Sequence, residues 1–300
     1  MLSLKQLSHI IAVEKTKHFK KAAELCNVSQ SALSTSISVL ESKLGLQIFE
    51  RDNKKVLITP IGKQVLAKAH KIMLEVHDLQ QLSVDKESPL SHPMVIGVIP
   101  TIGPYLLPKV LPEVRQQHPD FKLTIIEDQS HVLVEMVRSG EIDTAILALP
   151  YAVDGLHTFE FWQEDFYLVA HHLDKLANEV SVSSDQLGTT RLLLLKDGHC
   201  LKDHAIAACK LQATELDLSL EGASLSTLIQ MAAGRMGTTL VPQMALDQLL
   251  YDSSELTAIK LSEPGPHRKI AFITRLNYTN VANIEVLIHL FKQQLELRIR

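Results

Sequence analysis

Apolar residues along the first sixty positions recur at helical spacing and then change rhythm. Leu4, Leu7 and Ile11, followed after a break by Phe19, Ala22, Ala23, Leu25 and Cys26, predict two short helices. Asn27-Val28 reads as a tight turn and Ser29 as the N-cap of a third helix, QSALSTSISVLESKLG, whose core stripe is Leu33, Ile37, Leu40 and Leu44. Its opposite face carries Gln30, Ser31, Ser34, Thr35 and Ser38, short polar side chains suited to base edges and phosphates in a major groove. Such a face is usually plain solvated surface. Helix, tight turn and polar-faced helix together favour a helix-turn-helix whose second helix enters the groove. After Gly45, IFERDNKKVLITPIG predicts a hairpin with Arg51, Lys54 and Lys55 at its tip, a wing against the phosphate backbone. From Thr59 to about Lys86, the positions Ile61, Val65, Lys68, Ile72, Val76, Leu79 and Leu82 form a near-heptad seam on one long helix.

Pro89 and Pro93 then mark a hinge. Beyond it the apolar segments MVIGVIP, FKLTIIED, DTAILAL, FYLVAHH, LLLLK, GTTLVP and RKIAFITR read as strands, alternating with helical stretches such as PYLLPKVLPEVRQQH and SLSTLIQMAAGRMG. This alternation predicts an α/β body, with chain crossings near Ala170 and Pro266 suiting two lobes joined by two strands. The expected organisation is an N-terminal all-α winged helix-turn-helix over residues 1–60, a linker helix over 61–88 and a two-lobed α/β domain over 89–300.

Charge sharpens the division. The 300 residues carry a net charge of −4, which alone argues against a nucleic-acid binder. Residues 1–60 nevertheless hold nine Lys or Arg against five Asp or Glu, so a basic module precedes an acidic one. No apolar run approaches a membrane span and the first residues lack the apolar region of a signal peptide, so a cytoplasmic protein without membrane association is expected. Fourteen histidines invite a metal site, but no HExxH, CxxC or clustered Cys/His tract is present, and pairs such as His171-His172 read as surface. The short GAS and AAGRMG runs lack a phosphate-loop lysine, so neither metal nor cofactor is expected.

The candidate chemistry lies in LLLLKDGHCLKDHAIAACK, residues 192–210, which carries two of the three cysteines, Cys200 and Cys209. Four leucines predict a buried strand, Asp197-Gly198 a turn, and the residues around Leu201, Ile206 and Leu211 a helix. Nine helical steps of about 1.5 Å would hold the two α-carbons roughly 13.5 Å apart, beyond the roughly 4.4–6.8 Å of a disulfide. The pair can therefore bridge only if the helix refolds. His199, Lys202, His204 and a helix N-terminus surround Cys200, and each is expected to favour its thiolate. The plainer reading is two ordinary half-buried cysteines, and Cys26 is assigned to core packing.

The run FKKAAELCNVSQSALSTSISVLESKLGLQIFERDNKKVLITPIG resembles the winged helix-turn-helix of the LysR-type transcriptional regulators, with Ser31 where that family commonly has proline. The α/β half is similar to their periplasmic-binding-protein-like effector domain, which in most members holds a small organic ligand. IPTIGPYLLPKVLP, ILALP and, above all, KDGHCLKD followed by Cys209 resemble the hydrogen-peroxide-sensing members. That resemblance implies Cys200 as the peroxidatic cysteine and Cys209 as the resolving one. It also implies that Thr101, Ser130 (in place of a threonine), His199 and Asp203 orient peroxide, and that Arg268 stabilises developing negative charge. Lys202 stands where an arginine is common. Further implications are a double-stranded DNA operator, a dimer built on the linker helix and two dimers forming a tetramer, RNA polymerase as a partner, and a thioredoxin- or glutaredoxin-type reductant. The protein would be an activator of antioxidant genes, not an enzyme. The rivals are a LysR-type regulator answering to a small organic effector and, from another class, a thiol peroxidase.

Overall fold

The computed structural model describes residues 2–52, 55–82, 89–187, 191–209, 221–251 and 255–298. The chain divides into two compact units, residues 1–86 and 87–300.

In the first unit, helices α1 (Leu4–Thr16), α2 (Phe19–Leu25) and α3 (Gln30–Leu44) precede a hairpin of β1 (Phe49–Asp52) and β2 (Lys55–Ile58) and the long helix α4 (Pro60–Leu82). Ser29 caps α3, accepting a hydrogen bond from the Ala32 N–H at 3.2 Å, and the turn before it places Asn27 at φ 51°. Leu33, Ile37 and Leu40 are fully buried against Ile10, Val13 and Ala22. The Glu41 carboxylate accepts the Ile48 and Phe49 N–H groups at 2.7 and 3.1 Å, tying α3 to the wing.

The expected seam of α4 resolves into two faces. Leu66 and Ala69 are buried in the core of this unit, and His70 Nε2 lies 2.7 Å from Glu14 of α1. Ile61, Ile72 and Leu79 lie on the exposed side, Leu79 being 66% accessible. Residues 83–88, at the end of the predicted linker, lie outside the described residues.

The second unit contains two sheets. The first orders β4 (Leu123–Glu127), β3 (Met94–Val98), β5 (Thr144–Leu149), β13 (Arg268–Arg275) and β6 (Leu156–Glu164); helices α5 (Gly103–Gln117), α6 (Ser130–Ser139) and α11 (Val281–Arg298) belong to this lobe. The second sheet orders β10 (Glu221–Gly222), β9 (Leu192–Leu195), β11 (Thr238–Pro242), β7 (Phe166–His171), β12 (Leu256–Leu261) and β8 (Ser181–Val182). The short helix α7 (Ser184–Leu187) follows β8, and packed with the sheet are α8 (Cys200–Ala208), α9 (Leu225–Ala233) and α10 (Gln243–Leu249).

The chain passes between lobes twice. The return crossing falls at Pro266, between β12 and β13, as the sequence suggested. The outward crossing falls at Asp165, between β6 and β7, and not near Ala170, which lies fully buried within β7. Alternating burial along β6 is weak, so its apolar pattern does not advertise the strand that ends at this crossing.

Candidate redox site

The four leucines of β9 are all buried, and the chain leaves them through a turn at Asp197-Gly198 into α8. Gly198 sits at φ +95°, a conformation that side chains rarely adopt, and a Cβ there would meet the Gln129 amide at 2.5 Å. The amide end of Gln129 can move aside; the backbone angle has no such freedom. Gly198→Ala should therefore lower the stability of the full chain by about 1–3 kcal/mol in chemical denaturation, because the strain stays whatever the neighbour does.

His199 is the N-cap of α8 without making a side-chain capping bond, and Cys200 is the first helical residue, 4% exposed. Across from it stand three elements of the other lobe. Ser130, first residue of α6, has a buried hydroxyl that lacks a well-formed hydrogen bond, yet it lies close enough to the Cys200 thiol to favour its anion. Ala148, near the end of β5, favours the anion through its backbone, and Arg268, first residue of β13, does so through its charge. Pro150 accepts a hydrogen bond from His204 Nε2 at 2.8 Å, which pins the second turn of α8 to the segment after β5.

Arg268 is the deepest charge in the site, 1% exposed. Its Nη1 donates to Thr101 Oγ1 at 3.3 Å and its Nη2 to the Thr101 carbonyl at 3.1 Å, while the guanidinium carbon lies 5.8 Å from the centre of the Phe166 ring. With its oxygen accepting from Arg268, the buried Thr101 hydroxyl keeps its proton to donate. Neither Thr101 nor Ser130 is the N-cap of its neighbouring helix, those positions falling to Ile102 and Gln129.

The electrostatics differ from what the sequence suggested. Burial pushes the Cys200 thiol up, and Ser130, Arg268 and the Ala148 backbone offset this only in part. The local cations do not supply the expected help. Burial holds the His199 and His204 imidazoles below their ordinary range, in the neutral form, and Lys202 is ion-paired to Asp197 at 2.7 Å. Asp203 is exposed, and its charge opposes the thiolate. The cation that favours the anion is Arg268, remote in sequence and delivered by the crossing at Pro266.

Cys209 closes α8 as its C-cap, is fully buried and is pushed up to about 12 by burial and by the nearby Glu263 carboxylate. Both cysteines are free thiols at opposite ends of an intact helix. Lys210 and Leu211, expected to extend it, lie outside the described residues. Cys26 is half-buried against the core of the first unit.

Among the residues expected on DNA, Gln30, Ser31, Thr35 and Ser38 are exposed and Ser34 is half-buried on α3; Arg51 and Lys55 lie on β1 and β2, and Lys54 is outside the described residues. No group of three or more His, Cys, Asp or Glu that could hold a metal occurs among the described residues, and no described helix is long and apolar enough to cross a membrane. His171 is buried, not surface: its Nδ1 accepts the Leu173 N–H and its ring stacks on His172.

The sequence reading missed Glu164, the buried partner of Arg268, and Tyr151, which lies within electrostatic reach of Cys200. A buried Glu at a strand end, paired with an Arg from a distant strand, leaves no local signal.

A winged helix-turn-helix followed by a two-lobed α/β domain with a buried polar site at the lobe junction defines a DNA-binding transcriptional regulator that carries its own sensory domain. The profile of the bacterial regulatory helix-turn-helix protein, lysR family, matches residues 4–63, that of the LysR substrate binding domain matches residues 88–296, and the chain belongs to the LysR family. It is 37% identical to the HTH-type transcriptional regulator EstR of Acinetobacter baylyi, over 97% of this chain and 96% of that protein. It is 34% identical to the DNA-binding transcriptional dual regulator OxyR of Escherichia coli, over 91% of this chain and 90% of that one. Among solved structures, a full-length OxyR from Pseudomonas aeruginosa with one cysteine replaced by aspartate superposes with a TM-score of 0.82 at 32% identity, covering 97% of this chain and 98% of that one. An H2O2-bound cysteine-to-serine mutant of Corynebacterium glutamicum OxyR gives 0.67 at 30% identity, covering 99% and 93%. These relatives are regulators, and the thiol peroxidase reading falls with them.

Proposed function

We propose that this regulator senses hydrogen peroxide at Cys200 and answers with a Cys200–Cys209 disulfide. The observation that carries the reading is the set of donors gathered on one buried thiol: the Ser130 hydroxyl without a well-formed bond, the Thr101 hydroxyl with a proton to give, and the Arg268 guanidinium. The relatives named for hydrogen peroxide support it. In the first step the Cys200 thiolate attacks one peroxide oxygen, the O–O bond breaks, and hydroxide leaves to be protonated to water. Sulfur is oxidised to the sulfenic acid and peroxide is reduced. Thr101 and Ser130 would hold the peroxide, and Arg268 would stabilise charge on the departing oxygen. His199, neutral, would donate or accept a hydrogen bond beside the sulfur, and Asp203, exposed, would act only once α8 has begun to open.

In the second step α8 unfolds, the Cys209 sulfur attacks the sulfenic sulfur, the S–O bond breaks, and the oxygen leaves as water carrying the Cys209 proton. The bond then acts as a covalent ligand for the refolded state. A dithiol of the thioredoxin or glutaredoxin type resets it by exchange.

On DNA, Gln30, Ser31, Ser34, Thr35 and Ser38 would read the major groove, while Arg51, Lys54 and Lys55 hold phosphates. The exposed Ile61, Ile72 and Leu79 support pairing of two α4 helices in a dimer, two dimers forming the tetramer that contacts RNA polymerase and activates antioxidant genes.

The test is a mass-spectrometric disulfide map of reduced protein after stoichiometric H2O2, with operator footprinting on the same samples. An intramolecular Cys200–Cys209 bond and a shifted footprint are expected. Intact thiols with an unchanged footprint would overturn the reading in favour of an organic effector.

A further inference from the structure

Glu164 makes three short polar contacts at the lobe junction. Its Oε1 accepts from Arg268 Nε at 2.7 Å and Nη2 at 2.6 Å, and its Oε2 accepts the Met244 N–H at 2.8 Å. The side chains of the pair are 0% and 1% exposed, so no water screens them. One carboxylate oxygen thus holds the arginine and the other holds the first turn of α10, in the opposite lobe. Lys109 of α5 fastens the same turn, its Nζ reaching the Met244 carbonyl at 3.1 Å.

This arrangement has two consequences at Cys200. The guanidinium cannot swing, because its Nε edge is held by Glu164 and its Nη groups by Thr101. Its charge is also one half of a buried ion pair, so the thiol feels a cation damped by an adjacent anion. Among the described residues, Asp203 on its own helix also acts on Cys200, and Tyr151 beyond β5 feels the charge of Cys200 in turn.

We propose that Glu164 is a positioning residue that sets how readily Cys200 reacts, fixing the aim of Arg268 while damping its charge at the thiol. The proposal deepens the reading of Cys200 as the peroxide-reactive centre and rests on it. Its direction is opposite to that of a merely supportive carboxylate. Neutralising Glu164 with its size kept, the amide oxygen still accepting from Arg268 and the Met244 N–H losing its acceptor, should make Cys200 more reactive, whereas a group that only supports the fold would, on removal, make it less so.

The experiment uses the full chain carrying Glu164→Gln, and reads Cys200 peptide by peptide in the mass spectrometer so that Cys26 and Cys209 do not contribute. Iodoacetamide labelling of Cys200 is followed against pH, and its loss on H2O2 addition is followed at neutral pH. The labelling profile should move to lower pH by about one unit, a tenfold gain in thiolate fraction. After the accompanying loss of nucleophilicity, the peroxide reaction should run about threefold faster. Glu164→Asp keeps the charge at a greater distance and should move the profile the same way by less; it carries the test if the Gln variant does not fold. A profile unmoved or moved to higher pH in the variants that fold overturns the proposal. Should the parent Cys200 fail to react with peroxide while the iodoacetamide profile still shifts in the variants, the peroxide reading falls and the role of Glu164 stands.

Discussion

Cys200→Ser is expected to abolish the response to peroxide on operator DNA while leaving binding by the winged helix intact. A serine hydroxyl cannot be oxidised by peroxide, and none of the groups around position 200 can take over the electrons. Footprints with and without H2O2 should coincide. Cys209→Ser should behave differently, reaching the sulfenic acid with one equivalent of peroxide and forming no intramolecular disulfide, which a dimedone adduct on Cys200 would report. The parent reaction should also depend on pH in one direction. Burial pushes the Cys200 thiol up from its ordinary value, and the reactive species is the deprotonated one. Below that raised value the rate should therefore climb about tenfold per pH unit, measured by stopped-flow fluorescence. Selectivity for peroxide would then come from donors that act on the departing oxygen, more than from a resting thiolate.

Arg268→Ala should have the largest effect on stability. Among the described residues it leaves the buried Glu164 carboxylate with the Met244 N–H as its remaining partner, and a buried charge stripped of its counter-ion costs about 3–5 kcal/mol. Urea titration of the full chain should show this loss, together with a slower reaction of Cys200 with peroxide. The double variant Arg268→Ala, Glu164→Gln should regain part of the stability, since it removes the orphaned charge, and should not regain the peroxide reaction. A full loss of stability in the double variant would mean that the arginine matters through packing against Phe166 and Thr101, not through the ion pair.

The helix-turn-helix was legible because its instructions are local: the Ser29 cap, the Leu33–Ile37–Leu40 stripe and the polar face beside them all act within one helix. The strands with unbroken apolar runs, such as β5 and β9, were equally plain. β6 was not, its burial alternating weakly along an edge strand, and with it went the true position of the first crossing. In the candidate site, the motif around Cys200 led to α8, but charges adjacent in sequence were given an influence that burial and pairing remove. His199 is neutral and Lys202 is occupied with Asp197. What acts on the thiol comes from β13, α6 and β5, through contacts between residues far apart in the chain that no spacing encodes.

If Cys200 reacts as proposed, the placement of the two cysteines at opposite ends of α8 would make the helix a clock. After the first oxidation, Cys200 would carry a sulfenic acid that a second peroxide can drive irreversibly to the sulfinic acid. The alternative, closure with Cys209, would have to wait for nine residues to unwind and to release Cys209 from the burial that disfavours its thiolate. The opening rate of α8 would then divide each oxidised molecule between a reversible signal and permanent damage. Substitutions that merely strengthen the helix, such as Ile206→Leu, which replaces a β-branched side chain with a better helix former, would leave the first reaction open and shift that division toward loss of the protein at high peroxide.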